Sequence, residues 1–371
     1  MTAAIRPPVR FGVIGLGNIG ALHCRTLLSG EIKRAELAAV CDSDPARLAA
    51  YAERARVFST LDGLLAAGVI DALVIATPHP AHVPGALQAL GAGRHVLVEK
   101  PLSTHRAACE SLLAGHTDAR LRLGVVYNQR ANPALRHIRS MIQTGELGAI
   151  RRVQWTATDG FRPAAYYASG AWRGTWRGEG GGILLNQSSH YLDVLCWLFG
   201  VPRRVRAHCH FGRYHAIEVE DEATAYCELP DGATAVFITS NGEAPGTNRL
   251  EIAAERGRLV LEHEQLHWLR NETPMTEFSR ASREAFAAPP TTATILPVVS
   301  QGAQHAAILQ NFTDAILDGV PLLAPAEEAV HAVELANAML LSTWLDRPVD
   351  LPIDARNYAA LLQERIDRRM P

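Results

Sequence analysis

Lys100 sits in the tripeptide Glu99-Lys100-Pro101, directly after His95-Val96-Leu97-Val98, an apolar run entered from Ala92-Gly93-Arg94. Such a run predicts a strand. Pro101 has no N–H and biases the residue before it toward extended backbone. The lysine is thereby expected at the carboxyl edge of a sheet, where open α/β sheets bind their ligands. An amine there can give or take a proton beside a cofactor, although the tripeptide alone also reads as a surface turn. A second dense stretch runs from Gly180-Gly181-Gly182 through Asn186, Gln187, Ser188, Ser189 and His190 to Asp193. Three glycines let the backbone pass close to a ligand or to a neighbouring strand. A helix from Gly182 to Phe199 would put Asn186, His190 and Asp193 on one face at i, i+4, i+7. Asp193 then either orients the imidazole or serves as a structural partner.

The cofactor signal is Gly15-Leu16-Gly17-Asn18-Ile19-Gly20, which follows an apolar strand and opens a helix. In that context the spacing predicts a dinucleotide-binding loop. Gly15 permits the tight turn, Gly17 lets the backbone approach a pyrophosphate, and Gly20 allows close helix–strand packing. The helix N-terminus adds free N–H groups and the positive end of its dipole. Asp42 lies 22 residues after Gly20, at the end of the second strand. Its carboxylate can accept from the adenosine ribose hydroxyls and would repel a 2′-phosphate, which favours NAD over NADP. The same residue could instead cap a helix. Arg47 is expected inside the following helix, away from the carboxylate.

These residues need a scaffold, and its pattern is legible. Strands at Val9–Ile14, Glu36–Cys41, Ala72–Ala76, His95–Val98 and Leu121–Val126 alternate with helices at Ala21–Ser29, Pro45–Ala55, Pro84–Ala92 and Ser103–Ala114. This alternation predicts a doubly wound parallel sheet of Rossmann type. After a helix at Pro133–Thr144 the pattern changes to strands at Ile150–Thr158, Arg204–Phe211, Glu222–Glu228, Ala233–Thr239, Leu250–Ala254 and Gly257–Glu262, with Pro230-Asp231-Gly232 as a hairpin turn. Helices are expected at Gln304–Leu317 and Glu327–Leu345, and a surface loop at Ala281–Thr294. The expected division is a dinucleotide-binding domain over 1–126 and an α+β domain with an open, mostly antiparallel sheet over 127–371, whose last segment can pack back on the first domain.

Composition narrows the partners. Charged residues make up 20% of the 371 residues, net charge is -2, and no basic run occurs, which argues against nucleic acid. No run approaches the ~20 apolar residues of a membrane span. The six cysteines are scattered without a C-x-x-C pair, as in a cytosolic protein with reduced thiols. His208 and His210 share a strand face, but no third ligand accompanies them, so no metal is expected.

The ordered set of Gly15-x-Gly17-x-x-Gly20, Thr77-Pro78-x-x-x-His82, Glu99-Lys100-Pro101 and Gly180-Gly181-Gly182 to His190-x-x-Asp193 resembles the glucose-fructose oxidoreductase/inositol dehydrogenase/MocA family along essentially the whole chain. The tail from Asn311-Phe312 through Gly319, with Glu334 to Ala338, is similar too. The resemblance implies NAD(P)-dependent redox chemistry at a secondary alcohol of a sugar or cyclitol. Its lysine falls on Lys100 and its histidine on His190, which would bracket the alcohol, while Thr77, Pro78, His82 and Glu99 fall among the cofactor-binding positions. The stretch Tyr166-Tyr167-x-Ser169-Gly170-x-Trp172-Arg173-Gly174-Thr175-Trp176 looks like a sugar-oxidising branch that includes levoglucosan dehydrogenase. Trp172, Arg173, Trp176, Tyr127 and His305 are candidate sugar contacts. Many members carry Asp four residues before the histidine, where this chain has Asn186; an amide cannot accept the proton but can bond a substrate hydroxyl. The family also implies a cytoplasmic homodimer or homotetramer built through the C-terminal sheet. Two other readings stay open: an NAD-dependent glycosidase using transient sugar oxidation, and a non-catalytic dinucleotide-sensing regulator.

Overall fold

The computed structural model describes residues 7–297 and 304–368. In chain order the first elements are β1 (Val9–Ile14), α1 (Asn18–Leu28), β2 (Ala35–Cys41), α2 (Pro45–Ala49), β3 (Arg56–Phe58), α3 (Leu61–Ala66), β4 (Ala72–Ile75), α4 (His82–Gly91), β5 (His95–Val98), α5 (Arg106–Gly115) and β6 (Leu123–Val125). The middle holds α6 (Pro133–Gln143), β7 (Ile150–Ala157), α7 (Ala164–Ala168), α8 (Trp176–Glu179), α9 (Ser189–Phe199), β8 (Arg204–Phe211), β9 (Glu220–Glu228), β10 (Thr234–Ser240), β11 (Asn248–Ala254), β12 (Gly257–Glu262), β13 (Gln265–Asn271), α10 (Met275–Ala281) and β14 (Thr291–Leu296). The last are α11 (Gln304–Asp318), α12 (Ala326–Leu345), β15 (Val349–Asp350) and α13 (Ala355–Asp367).

The chain divides into two compact units. The first comprises residues up to Ala131 with Arg177–Gly180 and Gly302–Val333. Its six-stranded sheet has the order β3-β2-β1-β4-β5-β6, and every pair in it is parallel. This is the doubly wound order, whose switch point lies between β1 and β4. The runs Ala72–Ile75 and Val96–Val98 are buried on both faces, which is why they read as unbroken apolar stretches rather than alternating ones. The core gathers Phe11, Val13, Cys24, Val74 and Leu97 with Ile308, Leu309 and Phe312 of α11. The Phe11 and Phe312 rings meet with centroids 6.3 Å apart.

The second unit comprises Asn132–Trp176, Gly181–Gln301 and Glu334–Pro371. Its nine strands run β14-β13-β12-β11-β7-β10-β9-β8-β15. All pairs are antiparallel except β10 with β7. Burial alternates along β9 and β10, so one face is packed and the other is open. The turn after Leu229 closes the β9–β10 hairpin, with Gly232 at φ 81° and the Leu229 N–H donating to the Ala233 carbonyl at 2.9 Å.

Three elements depart from expectation. The helix expected over Pro45–Ala55 stops at Ala49, because the chain must turn to lay Arg56–Phe58 beside β2 as an edge strand. The helix expected from Gly182 starts only at Ser189. The Ile183 N–H donates to the Glu220 carbonyl at 2.9 Å and the Leu184 N–H to the Glu220 carboxylate at 3.1 Å, which ties this segment to the start of β9. The expected loop Ala281–Thr294 ends inside β14, an exposed edge strand held by its ladder to β13.

Candidate active site

The cofactor loop lies at the switch point of the first sheet. A Cβ on Gly20 would stand 1.8 Å from the Gly15 carbonyl oxygen, so helix and loop touch at a distance that only glycine allows. A Cβ on Gly17 would meet nothing within 4 Å: it would project into open space at the helix end, the volume a pyrophosphate needs. No side chain caps α1 at Gly17, which leaves its first N–H groups for an anion. Asn18 and Ile19 form that first turn. These residues fit a dinucleotide.

Asp42 is buried and holds this loop. Its Oδ2 accepts the Leu16 N–H at 2.6 Å and its Oδ1 the Asp44 N–H at 2.9 Å. The cap of α2 is Asp44, which accepts from the Ala46 N–H at 2.9 Å, so the capping alternative for Asp42 falls away. Arg47 is closer than expected: its guanidinium lies 3.6 Å from the Asp42 carboxylate and 3.4 Å from that of Asp44. Both acids lie within reach of one turn of a short helix, which brings the arginine back over the strand end.

The lysine segment is fixed from two sides. Glu99, just past β5, is 4% exposed. Its Oε1 lies 2.6 Å from His23 Nε2 on α1, and its Oε2 accepts the Lys100 N–H at 3.1 Å. Burial pushes the Glu99 carboxyl up, but the His23 bond and the neighbouring charges outweigh it and hold it down at about 2. On the other side, His82 spans the Pro101 and Thr77 carbonyls, 2.8 Å from each. His82 is 1% exposed, and burial depresses its pKa. Glu99 and His82 are therefore struts around Lys100. Thr77 and Pro78 lead from β4 into the turn before α4. The Lys100–Pro101 peptide is cis.

Tyr127 is fully buried and presents no face to a sugar. His305 stands edge-on to His23 with ring centroids 6.0 Å apart, and the Asn128 amide lies 3.3 Å from its Nδ1. Burial lowers its pKa.

In the second unit Trp172 and Arg173 are half-buried, and the Arg173 guanidinium lies 4.4 Å from the Trp172 ring centre and 4.2 Å from that of Tyr166. The Tyr166 hydroxyl collects three donors: Arg173, the Asn186 amide at 3.0 Å and the Gln187 amide at 3.1 Å. Next to it, the Tyr167 hydroxyl accepts from Asn241 at 3.0 Å, and its ring lies 4.8 Å from that of His215. Trp176 is not part of this group. It is buried against Phe211 and Trp344. Asn186 lies in the turn before α9, and so does not share a helix face with His190 and Asp193; those two do share α9, in its first turns. A Cβ on Gly182 would stand 2.0 Å from the Glu220 carbonyl oxygen, so this glycine serves the neighbouring strand and not a ligand. Sequence reasoning missed Tyr166, Gln187 and Asn241 as a hub, since their convergence depends on contacts between stretches far apart in the chain. Among the described residues no group of three or more His, Cys, Asp or Glu side chains could hold a metal ion.

Residues 9–127 match the model of an oxidoreductase family with an NAD-binding Rossmann fold, and 135–260 match that of the GFO/IDH/MocA C-terminal domain. The chain belongs to the Gfo/Idh/MocA oxidoreductase family. It is 26% identical to an inositol 2-dehydrogenase of Rhizobium meliloti, over 92% of this chain and 99% of that one. Among solved structures it is similar to the WlbA dehydrogenase from Chromobacterium violaceum in complex with NADH and UDP-GlcNAcA, with 29% identity, a TM-score of 0.81, and 95% and 98% of the two chains covered. A levoglucosan dehydrogenase in complex with NADH and L-sorbose shares the fold, with a TM-score of 0.77 at 20% identity over 94% of this chain and 100% of that one. As a Gfo/Idh/MocA member the chain is an NAD-dependent oxidoreductase. Among the described residues no helix is long and apolar enough to cross a membrane.

Proposed function

We propose that the protein oxidises a secondary alcohol of a sugar, anhydrosugar or cyclitol, with Lys100 as the proton-transfer group. The observation that carries this reading is the double clamp on Lys100: a carboxylate buried on one side and a histidine bridge to Pro101 on the other hold a single lysine at the carboxyl end of β5. A relative named for inositol and a similar dehydrogenase solved in complex with UDP-GlcNAcA support the substrate class.

The Gly15–Gly20 loop and the first turn of α1 would hold the pyrophosphate, and Asp42 the adenosine ribose. The bound nicotinamide supplies the acceptor for the hydride from the alcohol carbon. Lys100 takes the hydroxyl proton. His190, in the first turn of α9, is the second acid–base group. Asn186, with its amide on Tyr166, bonds a substrate hydroxyl, and Trp172 and Arg173 supply a ring face and donors for the sugar. We further infer a cytoplasmic homodimer or homotetramer built on the open face of the nine-stranded sheet.

A panel of sugars, anhydrosugars and cyclitols, read by NADH absorbance with NAD and NADP in parallel, tests the function. The expected result is NADH formation with at least one polyol. No reduction with any of them, in protein that binds NADH, overturns the reading.

A further inference from the structure

We propose that His23 is a positioning residue for the proton-transfer step: by donating to the buried Glu99 carboxylate it fixes the Lys100 backbone and keeps a negative charge on the residue that precedes Lys100. The inference rests on the reading of Lys100 as the proton-transfer group. His23 lies on α1, the helix that the cofactor loop opens, and its ring is fully buried. Its Nδ1 has no partner among the described residues, so the ring proton belongs on Nε2, the atom 2.6 Å from Glu99 Oε1. The bond therefore runs from the histidine to the carboxylate and is charge-assisted. The second Glu99 oxygen takes the Lys100 N–H at 3.1 Å. One carboxylate thus joins the cofactor helix to the lysine.

The chemistry of the pair is one-directional. A buried carboxylate deprived of its donor takes up a proton, because the charged form is the one that burial penalises. Here the donor keeps it ionised, and an ionised Glu99 favours the ammonium form of Lys100. The titratable groups facing Glu99 are His23, Lys100, His82 of α4 and His305 of α11; those facing His23 are Glu99 and His305. His305 has its Nδ1 turned to the Asn128 amide, which leaves His23 as the imidazole bonded to Glu99. A merely structural buried pair would also lower stability when broken, but it would leave the titration of Lys100 where it was.

The sequence makes that titration readable. Lys33 and Lys100 are the only lysines of the chain, and Lys33 is exposed. The full chain labelled with [ε-13C]lysine gives two resonances, with Lys33 as internal reference. In Glu99→Gln, which keeps size and hydrogen bonding, the Lys100 midpoint should fall by about one unit, the usual weight of a neighbouring opposite charge. His23→Leu should move it the same way by at least about half a unit, and His23→Gln, whose amide restores a donor, should bring it back. Lys33 should not move. NADH affinity, read by fluorescence titration, should change less than about threefold in the His23 variants, since neither substitution touches the loop itself. An unmoved Lys100 midpoint in folded His23→Leu overturns the proposal; should that variant not fold, an unmoved midpoint in Glu99→Gln does so. Lys100→Met that keeps full turnover would remove the proton-transfer role and leave the resonance shifts standing, so the two failures are distinguishable.

Discussion

On the proposed mechanism the amine of Lys100, and not its charge alone, is what the chemistry requires. Lys100→Met keeps the length and most of the volume, so NADH binding should persist while kcat falls by ~10²–10⁴, the usual weight of a positioned acid–base group. Single-turnover kinetics with the best substrate of the panel checks this, and a variant with most of its kcat removes Lys100 from the mechanism. On the proposed reading cofactor choice belongs to Asp42. Because Arg47 already stands 3.6 Å from that carboxylate, no arginine need be added to receive a 2′-phosphate. Asp42→Ser should raise the NADP/NAD ratio of kcat/KM by at least ~10-fold, about 1.4 kcal/mol of discrimination. Equal use of both cofactors by the parent would sink the assignment. Glu99 sets an acid limit. Its carboxyl is held at about 2 against an ordinary 4.5, so the folded state binds that proton less readily than the unfolded chain does. The pair's stabilisation is complete above pH 4.5 and is lost as pH falls toward 2, amounting to about 3 kcal/mol. Thermal unfolding of parent and Glu99→Gln from pH 6 to pH 3 should show the parent's advantage shrinking below about 4.5; a constant gap would show that Glu99 is not held ionised. Residue types and spacing pointed to Lys100, Gly15 to Gly20 and Asp42, because the chemistry proposed for them is local. The burial of Tyr127 and Trp176 was not legible, since an aromatic side chain carries no mark of whether its ring faces the core or a ligand.

At the scale of elements, strands buried on both faces were the clearest: β1, β4 and β5 differ from their expected bounds by at most a residue, because unbroken apolar runs allow little else. Elements decided by tertiary contacts were not. Ala46 to Ala55 is good helix composition, yet a three-residue edge strand after it ends the helix early. Ile183 and Leu184 are tied to Glu220, a partner more than thirty residues away. Thr291–Leu296 has no buried face to produce an alternation. The join between β1 and α1 shows how close packing and ligand space separate in adjacent glycines. Gly20→Ala must displace the Gly15 carbonyl, 1.8 Å from the new Cβ, and should destabilise the chain by about 2 kcal/mol while weakening NADH binding more than tenfold. Gly17→Ala meets no atom, so the melting temperature should hold within about 2 °C. Its methyl group still stands in the phosphate cradle, and the NADH Kd should rise. Calorimetry with NADH titration checks both; a Gly17→Ala chain that binds NADH as the parent does would mean that the pyrophosphate is held elsewhere.

At the scale of the whole molecule, the open face of the nine-stranded sheet is where the proposed assembly would form. On β9 the side chains of Thr224, Tyr226 and Glu228 point outward, and Tyr226 is 47% exposed. Tyr226 pairs across the ladder with Val236 of β10, and Ile238 lies two residues on, so an aromatic ring and two β-branched side chains form one apolar patch. Arg206 on β8 lies on the other side of Tyr226, and Gln154 of β7 on the other side of Val236. A polar rim around an apolar centre is the composition of a protein interface rather than of bare surface. In the proposed dimer a second copy of the same sheet, related by a two-fold axis, would cover the patch with itself, which is how isologous dimers are made. The chain mass is 40.2 kDa, so light scattering on the eluted protein should give about twice or four times that value. A lysine at the centre of the patch must bury an unpaired charge on each side of the axis, so Val236→Lys should shift the mass to that of a single chain while leaving the far-UV spectrum unchanged. A parent that elutes at the single-chain mass rules out the assembly, and a Val236→Lys chain that stays oligomeric places the interface on another face.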